Sequence, residues 1–346
     1  MVGDGLRDRI VAFARTFGAP VVVACDDNAH VRRLAEAIAK PLRLKQDAVV
    51  TVALGESRKR LATVERVLDG LCAAGADRHT LLLGVGGGVA SDTFGFAAAT
   101  YMRGIAYAHV ATSLVAMVDA SIGGKTGVNL PGGKNLAGVF KDPVAVFCEV
   151  PALQTLPFRS LREGLAEVVK AAIIEGEELF DALETLSPHS FGRWPWTTVI
   201  AAAVKVKSAI VADDRQEAGI REVLNLGHTF AHAIERASAF RVAHGAAVAI
   251  GLRGAGLLAL RTGRFSERDH FRVLGLLALL GLPLRTALEA DAIFAAMSAD
   301  KKRRGGKLRF VLPRAIGDVE YGVECSERAV RSVLARLQRA PEAVRR

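Results

Sequence analysis

The chain has 346 residues, 51% of them apolar and 6% aromatic, with 46 basic against 36 acidic side chains and a net charge of +10. That length holds two domains, and that apolar share builds a large core, which excludes a disordered chain. The basic excess is spread over arginine-bearing helix surfaces and the C-terminal stretch, with no basic run carrying interleaved aromatics, so it points to a small anionic substrate and away from nucleic acid.

In chain order, residues 6–17 read as an amphipathic helix. Residues 19–24 are a buried strand ending in the polar cluster Cys25-Asp26-Asp27-Asn28, and a helix follows at 29–39. A second strand at 48–53 runs into a polar turn at 54–59, and the helix at 60–74 repeats its apolar residues every 3.6 positions. A third strand at 80–85 leads straight into Gly86-Gly87-Gly88, and a fourth at 105–111 leads to Thr112-Ser113. Residues 118–126 and 132–135 read as glycine- and lysine-rich loops, and a strand at 145–149 closes this half. No strand is expected ahead of the first helix.

From residue 157 the pattern changes to helices, at 159–176, 177–186, 196–213, 225–239, 244–262, 266–280, 289–299 and 326–340, with one short strand at 307–312. Alternating strands and helices predict an α/β fold, with a doubly wound parallel sheet in domain 1–153 and a mostly helical domain 154–346. The four cysteines, Cys25, Cys72, Cys148 and Cys325, form no C-x-x-C pair, which fits a reducing compartment. The N-terminus is polar, and the apolar runs fall short of the ~20 residues that cross a bilayer. The expectation is a cytoplasmic protein with no membrane partner.

The stretch 224–235, L-N-L-G-H-T-F-A-H-A-I-E, carries most of the chemistry. His228 and His232 stand four apart, one turn on one helix face, and His244 follows after a short loop. Two histidines at that spacing are commonly plain helix residues, but unpaired imidazoles on a small apolar face are costly to bury. With Glu167 on an earlier helix they predict a divalent metal held by Glu167, His228 and His244, with His232 beside it as a proton-transfer group. Two histidines and one carboxylate leave coordination positions open, as catalytic sites do. Lys170, three residues after Glu167, reaches the same site.

Gly86–Asp92 follows a strand and opens a helix, which suits a pyrophosphate on backbone N–H groups, although the G-x-G-x-x-G fingerprint is absent. A tight turn is the plainer alternative. Asp26, at a strand end, suits ribose or adenine hydroxyls, or is a solvated turn residue. Lys125 and Lys134 suit phosphate or carboxylate oxygens. The basic loop at 300–307 is a solvated charge run or a second anion site.

The blocks G-G-G-V-x-x-D-x-x-G-F-A-A-A-T-Y-M-R-G, V-D-A-S-I-G-G-K-T-G-V-N, G-K-N-L-A-G, L-R-E-G-L-A-E-V-V-K, L-N-L-G-H-T-F-A-H-A-I-E, H-G-x-x-V-A-I-G and D-K-K resemble 3-dehydroquinate synthases of the sugar-phosphate cyclase group, in order from about residue 26 to 317. The resemblance implies an N-terminal NAD-binding domain and a C-terminal metal-binding domain, with zinc or cobalt on Glu167, His228 and His244. It implies NAD+ contacts from Asp26, Asn28, Glu56, Lys59, Gly88, Val89, Ala90, Ser91, Asp92, Thr112, Ser113, Lys125, Lys134 and Thr155. It places substrate binding on Arg103, Asp119, Lys134, Lys207, Arg221, Asn225 and Lys301 (or Lys302), and catalytic roles on Lys125, Asn135, Lys170 and His232.

The implied reaction converts 3-deoxy-D-arabino-heptulosonate 7-phosphate to 3-dehydroquinate and phosphate, a step of aromatic biosynthesis, with NAD+ restored in each cycle. A homodimer is implied as well. Four positions depart from the family pattern: Ala111 replaces a proline, Ser113 a threonine with the hydroxyl kept, Ser91 a glycine, and Ala246 a glutamate near the metal. The alternatives are another sugar-phosphate cyclase, a metal- and NAD-dependent dehydrogenase of the glycerol or glycerol-phosphate type, or a non-enzymatic relative.

Overall fold

The computed structural model describes residues 1–303 and 308–341, apart from the side chains at 189 and 299–303. The chain forms two compact units, Met1–Leu161 with Trp196–Val204, and Arg162–Pro195 with Lys205–Arg346.

The first unit contains β1 (Val2–Gly3), α1 (Arg7–Phe17), β2 (Val21–Asp26), α2 (Ala29–Ala39), β3 (Val49–Val52), α3 (Leu61–Ala73), β4 (Leu81–Gly86), α4 (Gly88–Thr100), β5 (Ala106–Ala111), β6 (Lys125–Leu130), β7 (Gly133–Phe140) and β8 (Ala145–Glu149). Six strands pair in parallel in the order β1-β8-β5-β4-β2-β3. The apolar runs have no alternation because both faces of this sheet are covered. Val22 and Ala24 of β2 enter one core with Val64, Val67 and Leu71 of α3 and Phe94 of α4. Val23 and Cys25 enter the other, with Ile10 and Ala14 of α1 and Ile38 of α2. The strand order reverses between β2 and β4, and in such sheets ligands bind beyond the carboxyl ends at that reversal. Asp26 ends β2 and Gly86 ends β4.

Two features of this unit depart from the sequence reading. Val2 and Gly3 do form a strand ahead of the first helix, pairing in parallel with Cys148 and Glu149. Lys125 and Lys134 are not in loops but on the strands of an antiparallel hairpin, β6 with β7. Its glycines and its exposed apolar side chains, among them Leu130, Leu136, Val139 and Phe140, hide the two-residue period that marks a strand.

The later elements are α5 (Phe158–Glu175), α6 (Glu177–Thr185), α7 (Trp196–Asp213), α8 (His228–Ala237), α9 (His244–Arg261), α10 (Glu267–Leu279), α11 (Ala290–Arg303), β9 (Arg309–Ala315), β10 (Asp318–Glu324) and α12 (Glu327–Leu337). The second unit is organised around α9, buried at Gly245 and from Ala247 to Ala259, which explains its small apolar sequence. The α8 helix starts three residues later than its periodicity predicts. Residues Ile220–Asn225 form a 3-10 turn, and Gly227 at φ +79° redirects the chain into the helix. A Cβ on Gly227 would lie 2.9 Å from the Leu252 backbone N of α9, so the two helices cross at backbone distance there. The strand expected at 307–312 begins at Arg309 and has an antiparallel partner, β10, that the sequence reading missed. Among the described residues no helix is long and apolar enough to cross a membrane.

Candidate active site and metal centre

In the second unit three donors converge. Oε1 of Glu167 on α5 lies 3.1 Å from Nε2 of His244 and 3.5 Å from Nε2 of His228, and one ligand atom of each residue lies within 4.8 Å of the others. The helices supply these donors through close packing. A Cβ on Gly245 would sit 2.3 Å from Glu163 Cα, so the residue after His244 lets the start of α9 press against α5. The His228 Nδ1 faces the Leu226 carbonyl oxygen at 3.2 Å, and the His244 Nδ1 faces Glu235 Oε1 at 3.5 Å. With Nδ1 of each ring turned to an acceptor, the Nε2 lone pairs are left to meet a metal. Two imidazole nitrogens and a carboxylate oxygen suit zinc or cobalt and leave positions open.

Lys170 Nζ stands 2.6 Å from Glu167 Oε2, an ion pair outside hydrogen-bond geometry. Burial alone would push the Glu167 carboxyl up, but the Lys170 ammonium and then His228 hold it well below its usual range. Burial likewise works to lower His244, yet its contacts with Glu167 and Glu235 raise it to about 10. His232 is exposed, its ring centroid 5.3 Å from that of His228. Buried Arg221 donates through Nη1 to the Arg215 carbonyl at 2.6 Å, and Asp214 accepts the N–H groups of Ala218, Gly219 and Arg221, fixing that loop. Asn225 donates to Glu217 Oε1 at 2.8 Å. Lys207 lies half-buried on α7. The side chains of Lys301 and Lys302 lie outside the described residues.

In the first unit the carboxyl ends of β2 and β4 carry the nucleotide candidates. Gly87 caps α4 without a capping side chain, and a Cβ there would lie 3.0 Å from Ser113 Oγ. That leaves a backbone-lined cradle at a helix N-terminus, which suits a pyrophosphate. The Gly86 carbonyl is held by the Thr112 N–H at 3.0 Å and by His109 Nε2 at 3.2 Å. Ser91, which stands where the family pattern has glycine, donates its hydroxyl to the Gly88 carbonyl at 3.0 Å. Val89, Ala90 and Asp92 lie beside it in the first turns of α4.

Asp26 accepts the Leu54 N–H at 3.1 Å, and burial raises its carboxyl. Asn28 spends its Oδ1 on capping α2. Lys59 is buried, pairs with Asp92, and donates to Asn135 Oδ1 at 2.6 Å. Burial pushes the Asp92 carboxyl up to about 6 against the pull of Lys59. Asn129, absent from the predicted set, donates to Glu56 Oε1 at 2.8 Å and accepts the Asn135 N–H at 2.9 Å, tying the hairpin to the 56–58 turn. Lys134 Nζ stands 3.6 Å from Glu56 Oε1, while Lys125 is exposed. Arg103 and Asn135 hold left-handed backbones at φ +69° and +54°. Asp119 sits in a π-helical turn, a form that recurs at functional sites. Thr155 is bonded to the Ala152 carbonyl at 2.7 Å.

Sequence reasoning also missed Glu235 and His109. Glu235 stands seven residues after His228, on the same helix face, so its signal was present. His109 lies inside an apolar strand and gave none.

Residues 49–163 match the family model described as 3-dehydroquinate synthase N-terminal, and residues 164–303 the one described as 3-dehydroquinate synthase C-terminal. A curated 3-dehydroquinate synthase from a Synechococcus strain is 41% identical over 292 residues, covering 82% of this chain and 79% of that protein. Among solved structures, a 2-epi-5-epi-valiolone synthase from Streptomyces hygroscopicus with NAD+ and Zn2+ bound superposes with a TM-score of 0.86 at 32% identity, over 97% of this chain and 95% of that one. A 2-deoxy-scyllo-inosose synthase complexed with carbaglucose-6-phosphate, NAD+ and Co2+ gives a TM-score of 0.85 at 26% identity, over 96% of this chain and 95% of that one.

Proposed function

The chain belongs to the 3-dehydroquinate synthase family, and on that premise we propose that it converts 3-deoxy-D-arabino-heptulosonate 7-phosphate to 3-dehydroquinate and phosphate, as an NAD+- and metal-dependent carbon–oxygen lyase. The observation that carries this reading is the convergence of Glu167, His228 and His244 in a chain whose other unit ends its central strands at a glycine loop. When bound, the metal supplies a Lewis acid that lowers an alcohol's pKa, and NAD+ supplies a hydride acceptor that is restored in each cycle.

The chain's own residues do the rest. Glu167, His228 and His244 hold the ion, and Lys170 keeps Glu167 ionised as a ligand. His232, exposed beside His228, takes and returns the alcohol proton. Arg221, Asn225, Lys207 and Lys301 orient the anionic oxygens. In the first unit, Arg103, Asp119, Lys125, Lys134 and Asn135 serve the substrate, with Lys125 and Lys134 also serving the cofactor. Gly88–Asp92 receive the pyrophosphate, with Asp26, Asn28, Glu56, Lys59, Thr112, Ser113 and Thr155 as the other nucleotide contacts. Ring closure needs the open chain held folded, which positioning groups of this kind provide.

The test supplies the heptulosonate 7-phosphate with sub-stoichiometric NAD+ and zinc, and follows phosphate and NADH together. Many phosphates per NAD+ with no lasting NADH are expected. NADH accumulating without phosphate overturns the reading in favour of a net dehydrogenase. Phosphate released only from a sugar 7-phosphate lacking the carboxylate assigns a different cyclase.

A homodimer in the cytoplasm completes the proposal. The apolar side chains Leu136, Val139 and Phe140 exposed on β7, with nearby Val144, support a subunit contact, and the unpaired cysteines suit a reducing compartment. Sedimentation at twice the chain mass, lost in Phe140→Asp, checks the first; cell fractionation checks the second.

A further inference from the structure

We infer that Glu235 is a positioning residue for the metal ligand His244, an inference that rests on reading Glu167, His228 and His244 as metal ligands. Glu235 is 3% exposed and sits on α8 two turns beyond His228, on the same face. Its Oε1 stands 3.5 Å from His244 Nδ1, while Glu167 Oε1 stands 3.1 Å from Nε2 of the same ring. The imidazole is therefore bracketed by two carboxylates, one at each nitrogen. A proton on Nδ1 satisfies Glu235 and frees Nε2 to point at the metal position.

His228 reaches the same tautomer by another route, through the neutral Leu226 carbonyl at 3.2 Å. The two imidazoles thus differ in what stands behind Nδ1, a carboxylate for His244 and a carbonyl for His228. A carboxylate behind the ring draws the Nδ1 proton and makes Nε2 the stronger donor, whereas a carbonyl mainly orients it. His244 is also the ring that most needs outside support, since its side chain is 32% exposed against 10% for His228. Ala246, two residues along α9, offers no carboxylate, so this one comes from the neighbouring helix. The same helix thereby supplies a ligand, His228, and the residue that aims a second ligand carried by α9. A glutamate kept dehydrated inside a helical core has a cost unless it is paired, and the His244 imidazole is one such partner.

The test is Co2+ titration of the metal-stripped full chain, read by visible absorption and by competition with a chromophoric chelator, for wild type, E235Q and E235D. Glutamine keeps the volume and an acceptor oxygen but loses the charge. E235Q is expected to weaken Co2+ binding by roughly 10- to 100-fold and to shift the absorption bands. Its metal-free melting temperature is expected to stay close to wild type. E235D keeps the charge one methylene further back and is expected to recover part of the affinity. It decides the matter if E235Q folds poorly. Wild-type affinity and an unshifted spectrum in folded E235Q overturn the inference; where only E235D folds, a wild-type affinity and spectrum with the carboxylate moved back overturn it. A wild-type chain that binds no Co2+ overturns the metal reading itself, which separates the two failures.

Discussion

At the carboxyl ends of β2 and β4 the proposed nucleotide site is backbone: Gly86, Gly87 and Gly88 leading into an α4 that opens without a capping side chain. In the second unit the proposed metal site is side chains, with Glu167, His228 and His244 brought in by α5, α8 and α9. Glycine serves both sites in different ways. In the loop it leaves amides uncovered for a ligand; at Gly245 and Gly227 it lets helices touch so that neighbouring side chains meet. A backbone site is fixed by strand order and by what is missing. A side-chain site is only as good as the packing beneath it.

The contrast is tested hardest at Glu167. Glu167→Ala removes a proposed ligand and takes the Glu167 carboxylate from buried Lys170. Phosphate release is expected to fall by more than the roughly 100-fold that losing an outer partner costs. Metal analysis should find the ion lost, while NAD+ binding measured by fluorescence titration stays near wild type.

Gly245→Ala comes next, because its Cβ would fall 2.3 Å from Glu163 Cα and 2.4 Å from its carbonyl oxygen, both backbone atoms. The expected cost is roughly 1–3 kcal/mol of stability by urea unfolding, with weaker metal binding as α9 moves off α5. Gly87→Ala is the matched control in the other unit. Its Cβ would meet the Ser113 hydroxyl at 3.0 Å, a side chain that can rotate, so stability should hold while KM for NAD+ rises.

The same contrast governs what the sequence made legible. The sheet announced itself because strands covered on both faces are apolar at every position, as in Leu81-Leu82-Leu83. The candidate metal ligands stood out by residue type and spacing, and the structure brings the three together. The β6–β7 hairpin did not, since its glycines, lysines and half-exposed apolar residues carry no period. The start of α8 was misplaced because Asn225 suits a helix start as well as it suits the end of the 3-10 turn it occupies. Glu235 stood in plain view at seven residues from His228, but its partner, His244, lies on another helix, and a pairing between helices has no period to read. The Asn129–Asn135 and Lys59–Asp92 contacts join a strand pair and a turn to a helix, and they too have no period to read.

Lys59→Met tests whether the backbone cradle depends on a side-chain frame. It strips the cation from buried Asp92 and the donor from Asn135, a loss of about 1.5–3 kcal/mol for bonds of this charged kind. KM for NAD+ is expected to rise while metal affinity is unchanged. The pH dependence has a definite sign. Asp92 titrates near 6 in the folded chain against an ordinary 3.8, so the folded state keeps its proton where the unfolded chain has lost it. Stability from this group is greatest at low pH and is lost as pH rises from 3.8 through 6. Urea midpoints of Asp92→Asn relative to wild type should therefore rise across that window.

His109 gives the smallest effect and the finest test, because it supports the backbone site from within the sheet. Burial pushes its imidazole down to about 4, so at neutral pH it is uncharged and holds the Gly86 carbonyl through Nε2. His109→Phe removes that donor, but the Thr112 N–H still holds the same oxygen at 3.0 Å. The expected loss is about 1 kcal/mol, seen as a few-fold rise in KM for NAD+ with metal affinity untouched. Its pH signature opposes that of Asp92. The folded chain refuses a proton that the unfolded chain accepts below 6.5, so stability from His109 is complete above 6.5 and is lost as pH falls toward 4. Between pH 4 and 6 the two contributions offset each other in wild type. Asp92→Asn should unmask stability that climbs with pH, and His109→Phe stability that declines. Should His109→Phe weaken the metal and spare NAD+, the division into a backbone site and a side-chain site fails.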